Sequence, residues 1–122
     1  MTRGERGQST VEFALVLPLV LLMLLSLLQV GIMLRDQLLV SSAAREAARE
    51  AAVSTDPARI EAAGRRAAPG LALSLDINRG RNRGDPVTVQ VSAKPLRIPL
   101  VGALVADRIL RARATMRVER AA

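Results

Sequence analysis

The chain has no cysteine, histidine, tryptophan or tyrosine, and Phe13 is its one aromatic residue. Without thiols or imidazoles there are no thiol nucleophiles, disulfides, histidine acid–base catalysis or usual zinc sites. With no rings for bases to stack on and no clustered basic recognition helix, nucleic acid is not an expected partner. The acids Asp76, Asp85 and Asp107 lie in separate segments without metal-ligand spacing. No catalytic constellation, metal or cofactor emerges, and the chain does not read as an enzyme.

What is present is one long apolar run. Phe13–Leu34 (FALVLPLVLLMLLSLLQVGIML) carries no charge over 22 positions, and its only polar side chains are Ser26 and Gln29. At 1.5 Å per residue, about 20 such positions cross a ~30 Å hydrocarbon core, so residues 13–34 are expected to form a transmembrane helix. Pro18 removes a backbone donor and crowds the Ala14 carbonyl, which predicts a kink. Ser26 and Gln29 lie three apart on one face, and Gly31 permits close approach; the three offer helix–helix contact within the membrane, although a lone span also tolerates such residues.

A chain of 122 residues holds one domain at most, and the span uses part of it. About 70 residues remain beyond the helical region, enough for a small core but not a deep cleft. The net charge of +7 sits wholly there: residues 1–53 hold five Arg and five acids, whereas residues 54–122 hold 13 Lys/Arg against six acids. Such a balance suits acidic polymers or anionic head groups, and 17 of the 18 basic residues being Arg also fits simple compositional bias.

Residues 1–12 read as a short polar leader, frayed as far as Val11, with Ser9 or Thr10 capping the helix and Glu12 in its first turn, where a carboxylate favours the helix dipole. Residues 35–53 contain no Pro or Gly and continue the helix. Phe13 to Val53 would then form one rod about 60 Å long. Ala43/Ala47/Ala51 and Ala44/Ala48/Ala52 make two small-residue rows opposite Arg45, Glu46, Arg49 and Glu50, with Glu46–Arg49 a favourable pair. The smooth side suits either the chain's own sheet or a neighbouring subunit's helix, with Ala44, Ala48 and Ala52 as candidate helix-packing positions.

The head, residues 54–122, starts with a helix capped by Thr55 or Asp56, with Pro57 at its first position, running to about Ala68 before Pro69-Gly70. From Leu71 the period becomes two, through Leu73, Leu75 and Ile77. Asn78–Pro86 is a basic turn, and Val87, Val89, Val91 and Ala93 form a second strand. Lys94–Pro99 is irregular or edge, Leu100–Ile109 a short helix or membrane-apposed loop, and Leu110–Val118 a third strand. The expected fold class is α+β: a long N-terminal helix, a short helix and a small three-stranded antiparallel sheet. Arg111, Arg113 and Arg117 lie on the sheet's polar face, a solvated surface first and a docking surface for an acidic partner second. Arg83-Gly84-Asp85 spells an adhesion tripeptide but is also ordinary turn chemistry.

Lys/Arg counts on the two sides of the span do not decide its orientation. A small residue, Gly7, stands five positions before Glu12 at the lip of the apolar run. A carboxylate there costs a few kcal/mol if drawn into lipid, so its placement calls for a cationic partner. The stretch GQSTVEFALVLP, with the Ala/Arg-rich continuation, resembles the N-terminus of TadE-like proteins, minor pilins or pseudopilins of tight-adherence, Flp-type pilus systems. The resemblance implies a pilin-like fold and a non-enzymatic part in pilus assembly. It implies that a membrane prepilin peptidase cuts after Gly7, that Gln8 becomes the N-terminus, and that Glu12 pairs with the freed amine of a neighbouring subunit. Implied partners are the membrane, the peptidase, other pilin-like subunits and Tad assembly proteins. The implied location is the bacterial cytoplasmic membrane, single-pass, with the N-terminus cytoplasmic and the head extracytoplasmic. The alternatives are an unprocessed membrane scaffold, or a secreted basic module released by signal cleavage near Ser42-Ala43-Ala44, although the apolar run exceeds a signal's usual h-region.

Overall fold

Strong helix formers from Gln8 to Val53 leave no local reason for a break except Pro18 and Gly31, and the helix runs through both. The structure, a computed structural model, describes residues 3–94 and 109–119. Its elements in chain order are α1 (Arg3–Val53), α2 (Pro57–Ala67), β1 (Leu73–Arg79), β2 (Pro86–Ala93) and β3 (Leu110–Arg117). This is the expected α+β arrangement. The expectations for Lys94–Pro99 and Leu100–Ile109, and for Asp107, lie outside the described residues except at the end positions Lys94 and Ile109, which are exposed and in neither helix nor strand.

The described residues divide into two units, 3–32 and 33–94 with 109–119. The first is the N-terminal part of α1, and its large apolar side chains face outward: Phe13, Leu15, Leu19 and Met23 are each roughly two-thirds exposed or more. The stretch is long and apolar enough to cross a membrane, and its most apolar window has a mean hydropathy of 2.6 with 0% buried. Each such side chain gains about 1.5–3 kcal/mol on leaving water, so a row of them is a surface for lipid, not for solvent.

The second unit joins residues 33–53 of α1 to the described residues of 54–119, and the two together are called the head below. Its sheet has the order β1-β2-β3, antiparallel throughout. Val91 stands between Leu75 and Ala112, and Val89 between Ile77 and Ala114, so one face is apolar across all three strands. Val87, Val89 and Val91 are completely buried, and the core they share includes Val40 and the alanines 43, 44, 47, 48, 51 and 52. Of the two partners open to the alanine rows, the structure shows the chain's own core. Ala44, Ala48 and Ala52 are therefore covered within the head, and the small side chains let α1 lie close upon the sheet. The outer side of this helix section presents Arg45, Glu46 and Arg49 to solvent. Its cross-element ion pair is made by Glu50, with Arg59 of α2 at 3.0 Å, in place of the expected Glu46–Arg49 contact.

Asp56 caps α2, accepting from the Ala58 amide at 3.0 Å, with Pro57 at the first helical position. Gly64 weakens α2 locally but has a packing reason. A Cβ there would stand 3.1 Å from Leu75 Cδ2, 3.5 Å from Ala47 Cβ and 3.7 Å from the Ala43 carbonyl. A methyl there would make ordinary contact with α1 and press slightly on the end of Leu75, and anything larger has no room, so a very small residue lets α2 approach α1 and β1 this closely. The chain leaves α2 through Gly70, at φ +82°, and the Leu71 amide donates to Ala68 O at 3.4 Å. That turn uses Leu71, which is why β1 starts at Leu73, two residues later than the alternation alone suggests.

At the far end of the hairpin, the Gly80 amide donates to Pro86 O (3.2 Å), the Asn82 amide to Asp85 Oδ2 (2.9 Å) and the Asp85 amide to Asn82 O (3.1 Å). The tip is also tied to the end of β3, with Gly84 N donating to Val118 O at 2.9 Å and Val118 N to Asp85 O at 2.8 Å. One residue on, Glu119 N donates to Ala52 O at 2.9 Å, satisfying a carbonyl that the last turn of α1 leaves open. Arg79 reaches Ser54 O across the same end.

Candidate processing and assembly site

The Gly7–Glu12 stretch is wholly helical. The first turn of α1 begins at Arg3, so neither Ser9 nor Thr10 is the cap expected from the sequence, and the leader is not frayed up to Val11. The reason is cooperativity. Once the apolar run has paid for nucleation, adding a residue costs little, and even Gly4 and Gly7 oppose it by only about 1 kcal/mol each. Ser9 turns its hydroxyl back along the helix, Oγ donating to Glu5 O at 3.2 Å.

The carboxylate of the first turn is Glu5, not Glu12. Glu12 lies more than two turns in, where the helix dipole has largely faded. Its described partner is Gln8, one turn before it on the same face, whose Nε2 donates to Glu12 Oε1 over a long 3.5 Å. Gln8 and Glu12 are both exposed. Gly7 is exposed as well, and a Cβ built on it would meet nothing within 4 Å. The geometry therefore presents a small residue, an amide and a carboxylate in sequence along one open helix, directly before the apolar surface.

The other candidate positions are distributed separately. Ser26 Oγ donates to Leu22 O at 2.8 Å, turning its polarity into its own helix. Gln29 is buried, whereas Gly31 faces open space. Arg111, Arg113 and Arg117 are exposed, and Arg113 donates to Gln90 Oε1 at 3.1 Å. In the Arg83-Gly84-Asp85 tripeptide, the Asp85 carboxylate is turned inward to the Asn82 amide. Among the described residues, no group of three or more acids, histidines or cysteines is placed to hold a metal ion. An open groove of about 790 Å³ on the head is bordered by Glu46, Glu50 and Glu119 against Arg49, Arg66 and Arg117, a balanced set of charges with no nucleophile.

One comparison with known proteins bears on this stretch. Residues 7–49 match the family of TadE-like proteins. The TadE-like segment starts at Gly7 itself, takes in Glu12 and the whole apolar run, and ends on the alanine rows. It stops before α2 and the sheet, so the family likeness rests on the helix. No curated protein and no solved structure matches the chain. Sequence reasoning missed two residues that hold the head together, Gly64 and Gly80. A Cβ on Gly80 would fall 2.2 Å from Asp85 Cβ, and no local pattern announces that closeness.

Proposed function

We infer that the chain is a non-enzymatic, membrane-anchored component of Flp/Tad-type pilus assembly, acting as a minor pilin or pseudopilin. The observation that carries this reading is a coincidence of three features. A TadE-like match begins at Gly7, Glu12 follows at five positions, and an exposed membrane-length apolar surface starts at the next residue. In this mechanism a prepilin peptidase on the cytoplasmic face cuts the Gly7–Gln8 bond. Gln8 then begins the chain, and Glu12 moves from mid-helix to the opening turns, where a carboxylate is favoured. The freed amine of one subunit and Glu12 of a neighbour supply opposite charges at the edge of the bilayer. The head, extracytoplasmic in this topology, meets other pilin-like subunits or assembly proteins.

A second reading is favoured by the helical state of Gly7. A protease needs an extended substrate, and α1 runs unbroken from Arg3 across the bond. In that reading the chain stays whole as a membrane scaffold of the same machinery. Mass spectrometry of the N-terminus of membrane-extracted protein separates the two. A start at Gln8, delayed or abolished by Gly7→Ala, supports processing. A start at Met1 or Thr2 in a strain with active peptidase selects the scaffold.

A further inference from the structure

The sheet has a second face that neither the core nor the N-terminal site uses. Its rows across the strands are Asp76–Gln90–Arg113, Ser74–Ser92–Arg111 and Asn78–Thr88–Thr115. Pro86 stands at one edge of the face, and Ala72 and the exposed Ile109 border Ser74 and Ser92 at the other; between them the described residues of the face show no apolar side chain, and Asp76 is their single acid. Arg111 and Arg113, two residues apart on β3, are both exposed and stand about 7 Å apart along the strand. Arg117 follows at the rim, where it also borders the groove beside α1. The exposed Arg81 and Arg83 sit on the hairpin tip that is bonded to Val118, so they extend the same positive end.

The chemistry of this face selects its partner. A protein interface needs an apolar or aromatic anchor at its centre, and none is present. A single-stranded nucleic acid needs rings for its bases, also absent. A second copy meeting this face about a two-fold axis would set the surface against itself, and there only Asp76 stands opposite these arginines. What remains complementary is a flexible polyanion whose units also carry hydroxyls. Guanidinium forks match carboxylates, and Ser, Thr, Asn and Gln side chains match sugar hydroxyls. We propose that the polar face of the sheet binds an acidic polysaccharide, with Arg111 and Arg113 taking its carboxylates and Ser74, Asn78, Thr88, Gln90 and Ser92 its hydroxyls. The inference concerns the head alone and stands whether or not Gly7 is a cleavage site.

The test is binding of oligogalacturonate to the full chain in detergent micelles at 150 mM salt, followed by titration calorimetry. Arg111→Gln/Arg113→Gln should weaken binding about tenfold, the product of about threefold for each exposed charge-assisted contact. Arg65→Gln/Arg66→Gln removes the same charge from α2 and should change it less than about twofold. Asp76→Asn should strengthen binding two- to threefold, a gain that a misfolded variant does not mimic. Absence of binding by the unaltered chain, equal losses for the two double variants, or tighter binding of single-stranded DNA of equal charge would each overturn the proposal.

Discussion

Gly64 of α2 crosses α1 at Ala47, with a would-be Cβ only 3.5 Å from the Ala47 methyl and 3.1 Å from Leu75 Cδ2. This crossing is the point at which helix, helix and sheet meet, and it sets the spacing of the head. A leucine there has no room. Gly64→Leu should destabilise the head by about 1–3 kcal/mol or more through overpacking. Gly64→Ala should be nearly neutral, because about 1 kcal/mol of helix propensity offsets a contact that the flexible end of Leu75 can relieve. Thermal unfolding of the full chain in micelles, followed by hydrogen exchange at Val89 and Val91, checks both. An unchanged midpoint for the leucine variant would contradict the packing.

The hairpin tip gives a sharper case. At Gly80, an alanine methyl would collide with Asp85 Cβ at 2.2 Å, and Asp85 is held by bonds to Asn82 and Val118. Gly80→Ala should therefore open the tip, at a cost of at least about 1–3 kcal/mol. Loss of exchange protection at the Gly84 and Val118 amides, with α2 unaffected, is the expected signature. Retained protection would show that the tip has another way to close.

Gly7→Ala separates folding from processing. Nothing lies within 4 Å of the added methyl, so the helix should be unchanged or firmer by about 1 kcal/mol. Appearance of the Gln8 terminus should nevertheless slow at least tenfold. Circular dichroism and intact-mass analysis of the same preparation read the two effects separately; normal processing of the variant would remove Gly7 from its proposed role.

Glu12→Gln keeps the shape and the Gln8 spacing but removes the charge. Co-purification of neighbouring pilin-like subunits should fall severalfold, while the melting of the head stays within about 1 °C, since Glu12 is exposed and belongs to the other unit. Undiminished co-purification would mean that the carboxylate does not set subunit register.

Much of the architecture is written locally. Alternation of Val87, Val89 and Val91 with Thr88 and Gln90 produces a strand because side chains on a pleated backbone switch faces at every residue. Twenty-two uncharged positions make a membrane-length helix because backbone groups in lipid must pair within the segment. Asp56-Pro57 starts α2 through two local effects, a side-chain acceptor and a preset φ. The candidate site was legible for the same reason: Gly7 and Glu12 are close in sequence, and their relation to the apolar run needs no folding to be seen.

The misreadings share a cause. Ser9 and Thr10 have the chemistry of caps, but a long helix propagates past a cap signal more cheaply than it stops, so α1 begins at Arg3. Leu71 has the right alternation for β1 but spends its amide on the turn after α2.

By itself, then, the sequence determined the elements, their chemistry and the TadE-like N-terminal segment, all consequences of neighbours within a few residues. Tertiary structure alone decided which surface covers the alanine rows, why residue 64 is small and residue 80 glycine, and that Arg81 and Arg83 join Arg117 at one end of the sheet. Those relations link residues dozens of positions apart, and they exist only because burying one apolar face of β1, β2 and β3 against α1 brings the segments together.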